Sequence, residues 1–218
     1  MQTQEVDIPA DDVRLKGILT IPADAHAIVV FAHGSGSGRA SPRNRQVADV
    51  LHEAGLATLL FDLLTEQEHQ VDLVSAEYRF DIPLLANRLE TALDWIYASP
   101  DTESLPVGLF GASTGAAAAL IAASVLPDDV GAVVSRGGRA DLAGDALPHV
   151  EAPTLLIVGE LDEDVVHLNQ LAASQLQCEH RIMIVADATH LFEEPGTLDH
   201  AARLACDWFL AKLMPVAG

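Results

Sequence analysis

Five consecutive residues, Gly111-Ala112-Ser113-Thr114-Gly115, carry the clearest chemical signal in the chain. This G-x-S-x-G string follows an apolar run of strand length, LPVGLFGA over 105 to 112, and precedes an Ala-rich helical stretch over 114 to 126. A serine on so tight a strand-to-helix turn sits on strained backbone and needs small neighbours, which the glycines at 111 and 115 supply. The turn exposes the hydroxyl and aims the helix N-terminus, with the Thr114 amide, at the place where negative charge develops in acyl transfer. Taken alone, the pentapeptide fits equally well a plain turn in which Ser113 or Thr114 caps the helix.

A serine hydroxyl is a weak nucleophile that needs a base, and the base needs a carboxylate to orient it. The run TLLIVGE (154 to 160) leads into Leu161-Asp162-Glu163-Asp164, and RIMIVAD (181 to 187) leads into Ala188-Thr189-His190. His190 is the expected general base and Asp162 the expected acid, each just past a strand and on the same side as Ser113. Singly, His190 is one of nine histidines and Asp162 a turn former in an acidic stretch; the ordered series of three favours the catalytic reading. Asp164 is the rival acid, but it better suits the first turn of the following helix, where the dipole favours a carboxylate.

Two more loops open on that side. His33-Gly34-Ser35-Gly36-Ser37-Gly38 follows AIVVFAH, and its Gly-rich backbone can turn an amide toward the site. The Ser35 amide is expected to join that of Thr114 in an oxyanion hole, with Gly34 beside the substrate. Ser135-Arg136-Gly137-Gly138-Arg139 follows GAVVS, where Arg136 is a candidate to clamp a substrate carboxylate. Against that stands a simple ion pair of Arg136 or Arg139 with Asp141 or another acid.

The elements that must hold these residues alternate in type. Apolar runs at 27 to 33, 57 to 64, 105 to 112, 131 to 137, 154 to 160 and 181 to 187 read as strands covered on both faces, hence a mostly parallel sheet. Helical patterns near 42 to 54, 76 to 98, 114 to 126, 165 to 176 and 196 to 213 lie between them. The result is an α/β class fold, doubly wound, with helices on both faces. Before the first buried run, two alternating stretches flank an Ala-Asp-Asp turn and predict an antiparallel hairpin at the sheet edge. Residues 64 to 75 read as the longest irregular connection, able to overhang the site. With no linker or repeat, residues 1 to 218 are expected to form one domain without a separate lid. A dinucleotide-binding reading of the glycine-rich loop fails on spacing, because the third glycine is due where Arg39 or Ser41 stands.

Composition narrows the partners. Thirty-two acidic residues against 12 basic ones give a formal charge of −20, a field that repels phosphate backbones and anionic membranes. No apolar run approaches the roughly 20 residues of a bilayer span, and no secretory leader pattern opens the chain. Cys178 and Cys206 are read as buried thiols in a reducing cytoplasm. The expected partner is a small-molecule ester bound by a monomer or homodimer, with no nucleic acid or membrane.

The stretches FAHGSGSGRASPRNRQVADVL, DLLTEQE, GLFGASTGAAAAL, VVSRGGRADLAG, PTLLIVGELDEDV and ATHLFEEPGTL together resemble the dienelactone hydrolase-like group of the α/β-hydrolase superfamily. In that group some members are fused to a phosphoribosyltransferase domain, absent from these 218 residues. The resemblance implies the α/β-hydrolase fold and ester-type hydrolysis. Dienelactone hydrolases proper use cysteine where this chain has Ser113, which puts dienelactone itself in doubt. The expected chemistry is a two-step acyl transfer needing no metal and no organic cofactor. An acyltransferase or perhydrolase with the same triad is the alternative, and a non-catalytic binding protein on this scaffold is disfavoured by the presence of all three triad residues.

Overall fold

The computed structural model describes residues 1–214. Its centre is an eight-stranded sheet in the order β1-β2-β4-β3-β5-β6-β7-β8. The first two strands, β1 (Gln2–Ala10) and β2 (Val13–Ile21), form the expected antiparallel hairpin at one edge. The remaining strands are β3 (Ala27–Ala32), β4 (Leu56–Phe61), β5 (Val107–Ala112), β6 (Val130–Arg136), β7 (Thr154–Gly159) and β8 (His180–Val185). β2 joins β4 antiparallel, and every pairing from β4 across to β8 is parallel.

Continuous apolar runs become central strands because both faces are covered. Along β3, Ile28 and Val30 pack into one core and Val29 and Phe31 into the other, as the two-residue strand period requires. One layer holds α3 (Ile82–Ala98), α4 (Thr114–Val125) and α5 (Glu163–Ala173); the other holds α1 (Pro42–Glu53) and α6 (Thr197–Leu213). Each buries its apolar stripe: α1 through Val47 and Leu51, α6 through Ala205 and Phe209. Fully burying a side chain such as Leu51 contributes about 2 kcal/mol. A 3₁₀ segment, Ala140–His149, bridges β6 and β7 and packs through Leu147.

Three expectations are corrected. Residues 64 to 75 are not irregular: Glu66–Ser75 is a helix, α2, closed at its N-terminus by a capping box. Thr65 Oγ1 accepts from the Glu68 amide at 3.2 Å and a Glu68 carboxylate oxygen accepts from the Thr65 amide at 2.7 Å. The helix expected from 76 starts instead at Ile82, because Ala76 ends α2 in left-handed backbone (φ 56), and Asp81 then caps α3 with Pro83 in its first turn. Cys206 is buried as expected, whereas Cys178 is only half-buried at the end of the parallel edge.

The winding reverses at the middle of the sheet. After β3 the chain moves outward to β4, then returns to β5 on the other side of β3. The helices that follow β3 and β5, α1 and α4, therefore lie on opposite faces of the sheet and leave a crevice at the carboxyl ends of the two strands.

Candidate active site

Ser113 ends β5 and begins α4 with φ 50 and ψ −122. This left-handed backbone costs a non-glycine residue about 1–3 kcal/mol and is held by its surroundings. The Arg139 amide donates to the Ser113 carbonyl at 3.0 Å, and the Ser113 amide approaches the Arg136 carbonyl at 3.5 Å. Only glycine fits at 115, where a Cβ would collide with the carbonyls of Ala32 and His33. At Gly34 a Cβ would come within 2.9 Å of Ser113 Cβ. The β3 loop thus packs against the serine turn at atomic contact.

The histidine and aspartate loops are tied to each other before they meet the serine. The Leu161 amide donates to the Ala188 carbonyl at 2.9 Å, and the Asp187 amide to Glu160 Oε2 at 3.1 Å. Phe192, 2% exposed and with φ 56, anchors the far side of the histidine turn in the core. The Thr189 amide donates to Glu194 Oε2 at 3.0 Å, closing the turn. Within this frame His190 Nδ1 lies 2.6 Å from Asp162 Oδ2, so the ring donates from Nδ1 and leaves Nε2 free to accept a proton. Asp162 is the residue that precedes α5, while Asp164 sits in the first turn of that helix.

Ser113, His190, Gly34, Ser35 and Arg136 line one cavity of about 230 Å³, together with Ser37, Ser41, Arg43, Asn44 and Leu191. Asp162 stands behind the histidine. Among the described residues no hydrogen bond joins Ser113 Oγ to His190; in unliganded sites of this kind that contact is commonly long and tightens with substrate. Thr114 is the first residue of α4, and its amide has no intrahelical acceptor. Ser35 Oγ and Thr114 Oγ1 are 3.2 Å apart, which brings together the two loops expected to supply oxyanion donors.

His33 explains how the β3 loop keeps its shape. It is 7% exposed; Nδ1 lies 2.9 Å from the Gly34 carbonyl, and Nε2 accepts from the Leu63 amide at 2.9 Å. That pattern fixes a neutral ring protonated at Nδ1, and burial lowers its pKa below 6.5. The role was missed in the sequence, although a histidine closing a fully apolar strand was the available signal.

The two arginines after β6 part company. Arg139 makes the fork to Asp141, with Nε to Oδ1 at 2.9 Å and Nη2 to Oδ2 at 2.8 Å. Arg136 has no carboxylate partner among the described residues. It is 7% exposed, its Nε and Nη1 are buried without any hydrogen-bond acceptor, and its guanidinium sits 5.7 Å from the centre of the Phe192 ring. Burial, helped by the neighbouring charge of Arg43, pulls its pKa down to about 10.

A strained serine on the turn after β5, a histidine–aspartate pair after β8 and β7, and a reversal of winding beside them define the class of the α/β-hydrolases. The chain belongs to the alpha/beta hydrolase domain family, whose model it matches over residues 25–208. The crystal structure of a dienelactone hydrolase from Anabaena variabilis is 57% identical, with a TM-score of 0.95 over 97% of this chain and 98% of that one. Two Mycobacterium tuberculosis proteins that bear a phosphoribosyl transferase name are 55% identical over 213 residues, 98% of this chain and 47% of theirs. The chain therefore spans about half the length of these curated relatives. Est1E from Butyrivibrio proteoclasticus, 15% identical with a TM-score of 0.78 over 95% of this chain and 98% of that one, shares the fold.

Proposed function

We propose that this chain is a serine hydrolase of carboxylic esters, acting on small acyl or lactone-type substrates through Ser113, His190 and Asp162. The observation that carries the reading is the 2.6 Å contact from His190 Nδ1 to Asp162 Oδ2 on a histidine that shares its cavity with the strained Ser113. His190 Nε2 takes the Ser113 proton as Oγ attacks the ester carbonyl. The oxyanion that forms is met by the Ser35 and Thr114 amides. As the tetrahedral species collapses, the imidazolium returns that proton to the leaving alkoxide. Water then repeats the cycle on the acyl-enzyme, releasing the acid and free Ser113. Asp162 accepts the Nδ1–H of the ring throughout and holds it in place.

The small cavity favours short acyl groups. We place the activity in residues 1 to 218 as one hydrolase domain without a separate lid. The transferase name belongs to relatives about twice as long, and this chain itself matches the hydrolase family model over residues 25–208. Cys178 and Cys206 are both free thiols, which suits the reducing cytoplasm as its location.

The test is turnover of p-nitrophenyl acetate and butyrate by the wild type and by Ser113→Ala, with fluorophosphonate labelling mapped by mass spectrometry. Turnover and label that both require Ser113 uphold the reading. Turnover that persists in the variant sinks the nucleophile assignment, and a wild type that neither turns over nor labels sinks the esterase.

A further inference from the structure

In a chain with 32 acidic and 12 basic residues, every arginine has carboxylates to choose from. Arg139, three residues on, takes one; Arg136 takes none. A charge removed from water without a partner is retained in a fold only when something else meets it. The stack on Phe192 satisfies one face of the guanidinium and leaves its in-plane N–H groups unmet. Nε and Nη1 are the buried, unpartnered nitrogens, and Nη2 is the one outside that set. The side chain lines the cavity that holds Ser113 and His190.

The sheet sets how close this group is to the chemistry. Arg136 is the last residue of β6 and lies opposite Ala112 of β5, immediately before the serine. Arg43, across the same cavity, adds a second positive charge and is held only loosely, 3.5 Å from Glu193. Two cations beside the nucleophile of a molecule with a formal charge of −20 make a local positive well in a negative field.

We propose that Arg136 is a substrate-binding residue that selects short esters carrying an anionic group, carboxylate or phosphoryl, a few bonds from the carbonyl attacked by Ser113. The inference rests on the esterase reading for its chemistry, but the anion site stands on its own geometry. Binding brings the substrate anion to the cavity side of the guanidinium, where Nη2 is the nitrogen outside the buried set, and orients the carbonyl over Ser113.

The experiment compares p-nitrophenyl butyrate with mono-p-nitrophenyl glutarate in the wild type, Arg136→Lys and Arg136→Gln. It is paired with calorimetric titration of glutarate and of inorganic phosphate into the same three proteins. Loss of Arg136 is expected to raise KM for the glutarate ester roughly ten- to a hundredfold more than KM for the butyrate ester, so that the preference between the two esters is lost whatever the variant does to kcat. Arg136→Lys retains part of the preference, since it keeps the charge and loses the fork. Glutarate or phosphate binds the wild type and is lost in Arg136→Gln, and whichever binds identifies the anion. Should the glutamine variant not fold, the wild type alone decides: glutarate inhibits butyrate hydrolysis competitively and the neutral glutaramide does not. Equal losses on both esters, equal anion binding in wild type and variant, or equal inhibition by glutarate and glutaramide would reduce Arg136 to a prop for Phe192 and overturn the proposal. A wild type that hydrolyses neither ester yet binds anions through Arg136 overturns the esterase reading and upholds the anion site.

Discussion

Two aspartates two positions apart compete for one role, and their local geometry separates them. Asp162 precedes α5 and reaches His190; Asp164, in the helix's first turn, gains from the dipole instead. Replacing Asp162 by Asn keeps the shape but presents the ring with the wrong hydrogen-bond partner, so kcat should fall roughly 10³–10⁴-fold. Asp164→Asn should leave kcat near the wild-type value and cost at most about 1 kcal/mol of stability. Steady-state kinetics with p-nitrophenyl butyrate, read beside urea unfolding, checks both; comparable kcat losses would reassign the acid. At this scale the placement of Ser113, His190, Gly34 and Ser35 around one cavity, with Asp162 behind the ring, is legible because each follows an apolar strand, and a strand's end fixes position without any knowledge of packing. Arg136 was readable only as a candidate. Its lack of a carboxylate depends on which acids the fold brings near, and spacing along the chain does not carry that information.

The glycine at 115 belongs to the junction of elements. Gly115→Ala would force its Cβ into the Ala32 and His33 carbonyls, pushing α4 away from β3 and with it the serine turn. The expected outcome is a loss of the proposed turnover of p-nitrophenyl butyrate together with a lowered melting temperature, checked by kinetics and thermal unfolding; a wild-type profile would mean the turn is far softer than its contacts indicate. The helix α2 shows where pattern reading fell short. Its sequence, EQEHQVDLVS, has no clean apolar stripe, and Asp72 is its one buried residue. What makes it a helix is local: the Thr65–Glu68 capping box at one end and left-handed Ala76 at the other. At that far end, Asp72 Oδ1 accepts from the Tyr78 and Arg79 amides at 2.9 and 2.8 Å. The T-x-x-E pattern of a capping box stands at Thr65 and Glu68, but the stretch lacks the apolar period that marks a helix packed on a core. Thr65→Ala should cost about 1 kcal/mol and raise amide exchange through the first turn of α2. The central strands, with hydrogen bonds on both sides, should keep their protection. Exchange that rises equally throughout would mean the helix does not open by itself.

Across the whole molecule, the doubly wound order followed from alternating strand and helix periods, because parallel strands need crossovers and crossovers need helices. The charge balance acts at this scale too, and it interacts with pH through a few buried groups. His33 and His52 both have pKa values lowered from 6.5 by burial. His33 is further committed to the neutral form because its Nε2 accepts the Leu63 amide, and His52 Nε2 lies 2.8 Å from Thr58 Oγ1. In the unfolded chain each takes a proton as pH falls through 6.5, while the folded chain takes it only at lower pH. The unfolded state then binds more protons, so stability must fall on acidification, by up to about 1.4 kcal/mol per pH unit for each histidine. The carboxylates Glu68 and Asp72, held below 4.5 and 3.8 by Arg88 and Arg79 against the opposing effect of burial, add losses of the same sign only at lower pH. Glu90, raised by burial and by Asp94, works in the opposite sense near its own range. Urea unfolding at pH 7.5, 6.5 and 5.5 should therefore show a midpoint that drops before the carboxylates titrate. His52→Gln should flatten that slope by removing one of the two histidines while leaving His33 and the β3 loop intact. An unchanged midpoint across this interval would mean that His33 and His52 accept protons in the folded state. That would break the Leu63 hydrogen bond which holds the loop carrying Gly34 and Ser35 against Ser113.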